Sequence, residues 1–354
     1  MAFSPRANRD RKPKIPLQPI VDPAGWNARE VAARDDWIYQ LSEAEIADIH
    51  DAVTAAENSG TDIKDIRGGD FVLPNLARGL EDIRDELLNG RGFVLIRGVP
   101  AADFTLKQSA IAYWGISAHL GRIVSQNKKR HMLGHVKDFG GDYAAANVRG
   151  YQTNAELIFH CDLCDYVGLL CRHPAKSGGA SRIASNVTVY NEMLKICPEL
   201  VKELIADFHI SRIGEIAPGQ DPWYKLPVFS FHRGYFSGRG AGDHVLKALG
   251  LPGVPDFSDK QRAAFTAFGE IVQQHYFDMD FRPGDIQVLH NHVTLHTRTA
   301  FKDWPEPERK RHLIRLWLTD WDGRPLKPGF RENIQGFNVA GVQPTVPVNN
   351  FEPA

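Results

Sequence analysis

Two kinds of apolar pattern alternate along the chain: helically spaced positions, and short dense runs. Ser42 stands three residues before Glu45, which is a capping box, and Ile46, Ile49 and Val53 follow at helical steps. The pattern predicts a helix ending at Asn58-Ser59-Gly60. Leu76, Leu80, Ile83 and Leu87 recur at three- and four-residue steps, with Asn75 as the expected N-cap and Asn89-Gly90 as the stop. Gly92 to Ile96 reads as a buried strand closed by Gly98 and Pro100, and a further helix is expected over Leu106 to Leu120. Residues 157–171 are dense in Leu, Ile, Val, Phe and Tyr and are expected to be strand. Lys176-Ser177-Gly178-Gly179 is a turn, Ser181 to Val187 a strand, and Asn191 to Phe208 a return to helix. Residues 213–257 hold many Gly, Pro and aromatic residues, which predicts loops and short strands. Ser258 with Gln261 opens a helix to about His275, Pro283-Gly284-Asp285 is a turn, and strands follow at Ile286 to Leu289 and His312 to Leu318. Helices flanking a strand-rich centre make an α+β protein with a sandwich or barrel core.

Composition narrows the function classes. Lys plus Arg total 42 against 43 Asp plus Glu, so no global field draws a polyanion and nucleic acid is a poor partner. No apolar run approaches the length of a membrane span. Residues 1–25 interleave Arg6, Arg9, Arg11, Lys12 and Lys14 with Pro5, Pro13, Pro16 and Pro19; no apolar segment follows to make a secretory signal, so a flexible basic arm is expected. Four cysteines are too few for a secreted disulfide scaffold, and the default compartment is the cytoplasm. Cys161 and Cys164 form a C-x-x-C, but residues three apart in an extended segment point apart, so unreactive buried thiols are the better reading.

The chain has no phosphate loop, no nucleophile elbow and no H-E-x-x-H helix, and Gly238-Arg239-Gly240-Ala241-Gly242 lacks dinucleotide spacing and reads as a flexible loop. Fourteen histidines turn attention to metals. In His160-Cys161-Asp162, an extended backbone puts one imidazole and one carboxylate on the same face. Far downstream come His290, His292 and His296, then Arg298, Arg311 and Arg315. Two histidines and one carboxylate on one face of a β-fold form the facial triad of non-haem Fe(II) enzymes, with positions left for a 2-oxo acid and O2. Arg311 and Arg315 share a strand face, and a guanidinium there suits the far carboxylate of a diacid.

The chain resembles the TauD/TfdA-like family of Fe(II)/2-oxoglutarate-dependent dioxygenases. The landmarks are Phe159-His160-Cys161-Asp162, then Ala175 to Ser181 with its double glycine, then Pro283-Gly284-Asp285-Ile286 with Leu295-His296-Thr297-Arg298, then Arg309 to Leu318, over roughly residues 90–320. The resemblance implies a double-stranded β-helix (jelly-roll) core with flanking helices, in a single domain over residues 26–354. It implies Fe(II) on His160, Asp162 and His296, and 2-oxoglutarate and O2 as co-substrates. It places the 5-carboxylate on Arg315, with Ser181 assisting and Arg311 near the 1-carboxylate or bracing the site. Strand parity leaves His290, His292 and His296 on one face; the order of landmarks points to His296. The stretch leading into the first ligands should rim the iron, making Arg149, Tyr151, Asn154 and Glu156 candidate contacts for a small-molecule substrate, with Arg233 a further candidate. The implied reaction hydroxylates an unactivated C–H bond and releases succinate and CO2. A cupin-like zinc hydrolase or isomerase and a non-catalytic β-sandwich binding protein are the competing classes. Homo-oligomers are usual in the family, although no heptad repeat marks an interface here.

Overall fold

The computed structural model describes residues 3–4, 11–145 and 148–348. Two sheets carry the architecture. The larger has the strands Ile38–Gln40, Phe93–Arg97, Ile286–His290, Tyr166–His173, His312–Thr319 and Arg122–Val124 side by side in that order, with Leu133–Val136 also paired to His312–Thr319. Its pairings are antiparallel except the first, between Ile38–Gln40 and Phe93–Arg97. The smaller sheet places Ser181–Ser185 between Tyr276–Met279 and Thr294–Arg298, all antiparallel.

Both faces of the larger sheet are covered, which explains its nearly continuous apolar strands. Val94, Ile96, Val288, Ile314 and Leu316 pack with Leu80, Ile83 and Ile111 of the helices Ala77–Asn89 and Leu106–Ala118. Their neighbours Phe93, Leu95, Leu289 and Trp317 pack instead with Ile183, Phe277 and Met279 of the smaller sheet. Behind that sheet, Ala184 and Leu295 join the helices Asn186–Ile196, Pro198–Ile205 and Asp259–Val272. The layers therefore run helix, sheet, sheet, helix. Among the described residues no helix is long and apolar enough to cross a membrane.

Local signals hold where the cap is local. Ser42 and Ser258 both complete capping boxes, at Glu43–Ser59 and Asp259–Val272. Asn75 does not cap its helix: the Asp48 carboxylate accepts the N–H groups of Asn75 and Leu76 at 2.6 and 3.2 Å. The strand expected to Val187 ends at Ser185, whose hydroxyl caps a helix starting at Asn186. That helix stops at Cys197, Pro198 begins a second one, and Phe208 lies in a strand, Asp207–Ser211. Proline cannot donate to the preceding turn, so the expected single helix is divided there.

The expected flexible arm is laid along the body from Arg11 onward. Arg11 donates to the Leu88 carbonyl and to Asp22, Lys14 N–H to the Gly234 carbonyl, and Ile20 exchanges two hydrogen bonds with the Asn191 side chain. Side-chain partners far away in the chain overcome the low apolar content of this segment. Pro5, Arg6 and Arg9 lie outside the described residues.

Candidate active site

The strand expected over residues 157–171 begins only at Tyr166, so the H-x-D stands on irregular backbone. Its place is set by one antiparallel bridge: His160 and His296 exchange N–H to carbonyl hydrogen bonds in both directions, each 2.9 Å. That bridge brings the two imidazoles to 4.4 Å between ring centroids. Asp162 is fixed by Asn291, whose amide oxygen accepts Asp162 N–H at 3.1 Å while its amide nitrogen donates to the Cys164 carbonyl at 3.1 Å. One ligand atom each from His160, Asp162 and His296 then lies within 4.8 Å of the others. His290 and His292 are carried elsewhere, because the chain turns back between the strands Ile286–His290 and Thr294–Arg298. His290 packs on Tyr166, and His292 bonds Asp165 at 2.7 Å.

The glycine-rich segment is packed and buried, not a flexible loop. Gly240 has φ 77°, and a Cβ there would come within 2.5 Å of Leu295; one on Gly242 would come within 3.0 Å of the His160 Cβ. Bare backbone is needed behind His160. Cys161 and Cys164 are buried and free, and burial pushes the Cys161 thiol up to about 12, which suits an inert packing role.

The donor chemistry fits a divalent transition metal. His160 Nδ1 meets the Ile158 carbonyl at 2.8 Å; a carbonyl only accepts, so Nδ1 donates and Nε2 is the ring nitrogen left to face a metal. Burial, with His160 adding to it, pushes His296 down to about 3, so it is neutral, and its Nδ1 has no partner among the described residues. Burial raises the Asp162 carboxyl, but Arg315 and the two histidines outweigh it and hold the group well below the usual carboxylate range. Trp317 Nε1 and Arg315 Nη1 donate to Asp162 Oδ2 at 2.9 and 3.3 Å. Two imidazoles and one oriented carboxylate are the donor set that ferrous iron takes.

A cavity of about 810 Å³, its open mouth included, opens on these three residues. Of the sequence candidates, Arg149, Tyr151, Ser181, Arg311 and Arg315 line it. Asn154, Glu156 and Arg233 do not. The chain makes a single 3-10 turn at Gly150–Gln152 and then turns outward, so Asn154 is exposed and exposed Glu156 faces Arg182 at 3.5 Å. Arg233 sits exposed at the tip of the hairpin Phe229–His232/Tyr235–Gly238. Tyr143, Asp243, His244, Thr297 and Arg298 also line the cavity and were not anticipated. Only Arg298 carried a signal, its even spacing from His296 on one strand.

The two strand arginines differ in their commitments. Arg315 donates from Nε to Gln126 at 2.8 Å and from Nη1 to Asp162, and lies over the rings of Tyr151 and Trp317 at 4.7 and 5.0 Å. Its donor pairs with Asp162, one of the three converging residues. Arg311 stands four residues away, buried against Phe301, with Nη1 unpartnered among the described residues.

Residues 56–317 match the family described as taurine catabolism dioxygenase TauD, TfdA family. The chain belongs to the TauD/TfdA dioxygenase family. It is therefore an Fe(II)/2-oxoglutarate-dependent oxygenase. It is similar to FR-33289 synthase of Streptomyces rubellomurinus (strain ATCC 31215), 29% identical over 336 residues, covering 92% of this chain and 98% of that protein. It is also similar to the taurine hydroxylase-like protein SAT17 of Stachybotrys chartarum (strain CBS 109288 / IBT 7711), 25% identical over 327 residues, covering 88% and 83%. Among solved structures, the fold is similar to asparagine oxygenase in complex with Fe(II), 2S,3S-3-hydroxyasparagine and succinate. That match has a TM-score of 0.62 at 16% identity, over 80% of this chain and 93% of the other. It is also similar to the non-heme iron oxygenase OrfP with Fe, succinate and (3S)-hydroxy-L-Arg, at a TM-score of 0.60 and 15% identity, over 80% and 94%.

Proposed function

We propose that His160, Asp162 and His296 hold Fe(II), that 2-oxoglutarate chelates beside them, and that the enzyme hydroxylates a C–H bond of a small polar substrate, releasing succinate and CO2. The carrying observation is the convergence of two imidazoles and one oriented carboxylate within 4.8 Å on the wall of a cavity. When bound, the iron supplies activation of O2 against 2-oxoglutarate. The protein's part is positioning. Asn291 and Trp317 hold Asp162, the Ile158 carbonyl sets the His160 tautomer, and the cavity walls exclude bulk water.

The arginine roles are exchanged relative to those the family resemblance implied. Arg311, open and remote from Asp162, receives the 5-carboxylate, while Arg315 orients Asp162 and faces the substrate side with Arg149 and Tyr151. Ser181 lines the same space, its hydroxyl paired with the Gln287 amide at 2.9 Å. The two facing sheets are read as the halves of a double-stranded β-helix, and residues 26–354 as one catalytic domain. Hydroxylated amino acids bound in the structural neighbours support an amino-acid-sized substrate. A cytoplasmic setting suits the four free thiols.

Anaerobic titration with Fe(II) and 2-oxoglutarate tests the reading. A visible metal-to-ligand band that needs both is expected, followed in air by 2-oxoglutarate-dependent succinate; protein that binds Fe(II) without any response to 2-oxoglutarate overturns it.

A further inference from the structure

Beside Arg311, the cavity wall holds a second guanidinium, Arg298, of which the protein engages only one nitrogen in a hydrogen bond. Arg298 is 5% exposed and Arg311 4%. Both line the cavity, and both lie against the same ring, Phe301, at 4.7 and 5.1 Å. Arg298 gives one Nη2 hydrogen bond to the Ala155 carbonyl, while its Nε and Nη1, like Arg311 Nη1, are buried without a partner among the described residues. Three orphaned nitrogens on two neighbouring cations are an expensive arrangement unless an anion arrives to meet them. The nearby acids do not meet that need. Asp303 spends one oxygen on the Arg311 backbone N–H at 2.8 Å, and Asp138 and Asp303 act on Arg298 only through space.

The fold makes room for this pair. Arg298 lies two residues beyond His296 on one strand, opposite Ser181 in the ladder. Gly179, at φ 72°, lies so close that a Cβ there would stand 3.1 Å from Arg311 Nε. Gly179 of the double-glycine turn thus stands against the Arg311 head, and Ser181 and Arg298 line the same cavity.

We propose that Arg298 is a second co-substrate residue, closing with Arg311 on the remote carboxylate of the 2-oxo diacid, so that the tail is gripped by two guanidiniums. This rests on the assignment of the centre to Fe(II) and 2-oxoglutarate. A carboxylate has about four lone-pair sites; the fork of Arg311 fills two, and Arg298 supplies further donors. Arg298 is on this account a specificity residue that makes the enzyme demand a diacid over a 2-oxo monoacid.

The test compares anaerobic dissociation constants, read from the Fe(II)-dependent band, for 2-oxoglutarate and for 2-oxovalerate, which has the same chain length without the tail carboxylate. Arg298→Gln should weaken 2-oxoglutarate by roughly 10- to 100-fold, the scale of a charged hydrogen bond. It should leave 2-oxovalerate within about a factor of two. Arg298→Lys, which keeps the charge but loses the fork, should recover part of the loss. Equal weakening of both acids would show a merely structural residue, and an unchanged 2-oxoglutarate constant would remove Arg298 from the tail site; either overturns the proposal. Failure of the iron and 2-oxoglutarate assignment shows differently, as absence of the band in the unsubstituted protein.

Discussion

Arg311 and Arg315 stand four residues apart, both directed into the same cavity, and they serve opposite purposes. Arg315 donates from Nε to Gln126 and from Nη1 to Asp162, and Tyr151 and Trp317 cover its faces. Around Arg311 the wall is Phe301 and bare glycine, and a donor is left open. At one end the charge meets the Asp162 carboxylate. At the other a donor is left without a partner among the described residues, which is what the proposed co-substrate role requires. The difference between a structural and a binding arginine lies in its neighbours, not in its place on the strand.

The comparison can be broken by substitution. His160→Ala should abolish succinate formation while circular dichroism and melting show a folded protein; the loss should exceed the ~100-fold typical of losing an outer partner. Retained turnover would remove the iron end altogether. Next, Arg311→Gln should raise the 2-oxoglutarate KM by roughly 100-fold with Fe(II) affinity unchanged, whereas Arg315→Gln should alter Fe(II) affinity and kcat more than that KM. If the two variants behave alike, the division of labour is wrong. Trp317→Phe keeps the ring but removes the indole donor to Asp162 Oδ2, and an approximately 10-fold weaker Fe(II) constant is expected by equilibrium titration.

The smallest effect concerns the opposite face of the same strand. There His312 Nε2 meets His135 Nδ1 at 2.8 Å, and burial, with His135 adding to it, pushes His312 down to about 2. The unfolded chain takes up a proton near the ordinary value of about 6.5, and the folded one refuses it. Stability is therefore lost as pH falls below that value, by about 1.4 kcal/mol per such histidine at about pH 5.5. Melting curves across that range should show a gentler slope for His312→Asn; an unchanged slope would show that His312 is not the group responsible.

Much of the architecture was legible along the chain because it is local. Ser42 with Glu45 and Ser258 with Gln261 carry both partners of their caps within one turn, and the two-residue alternation of Ile314, Leu316 and Trp317 assigns faces directly. Asn75 was misread because its helix is capped by Asp48, 27 residues earlier. The same limit applies within the site. His160 and Asp162 stand close together in the chain, so their types and spacing offer a candidate metal pair, which only the downstream histidines and the family resemblance single out. Arg149 and Tyr151 were separable from Asn154 and Glu156 only by the turn at Gly150–Gln152, and nothing near Tyr143, Asp243 or His244 announces a cavity.

From spacing and the family resemblance came the chemistry: imidazoles, a carboxylate and strand arginines in an order that suits iron and a diacid. Folding settled which of three histidines meets His160, since one backbone bridge joins His296 to it while a reversal at Asn291–Val293 carries His290 and His292 away. It also settled which guanidinium is open, since a charge is compensated or not by groups brought in from distant strands and loops. Residue type is a property of each position; pairing is a property of the space between positions.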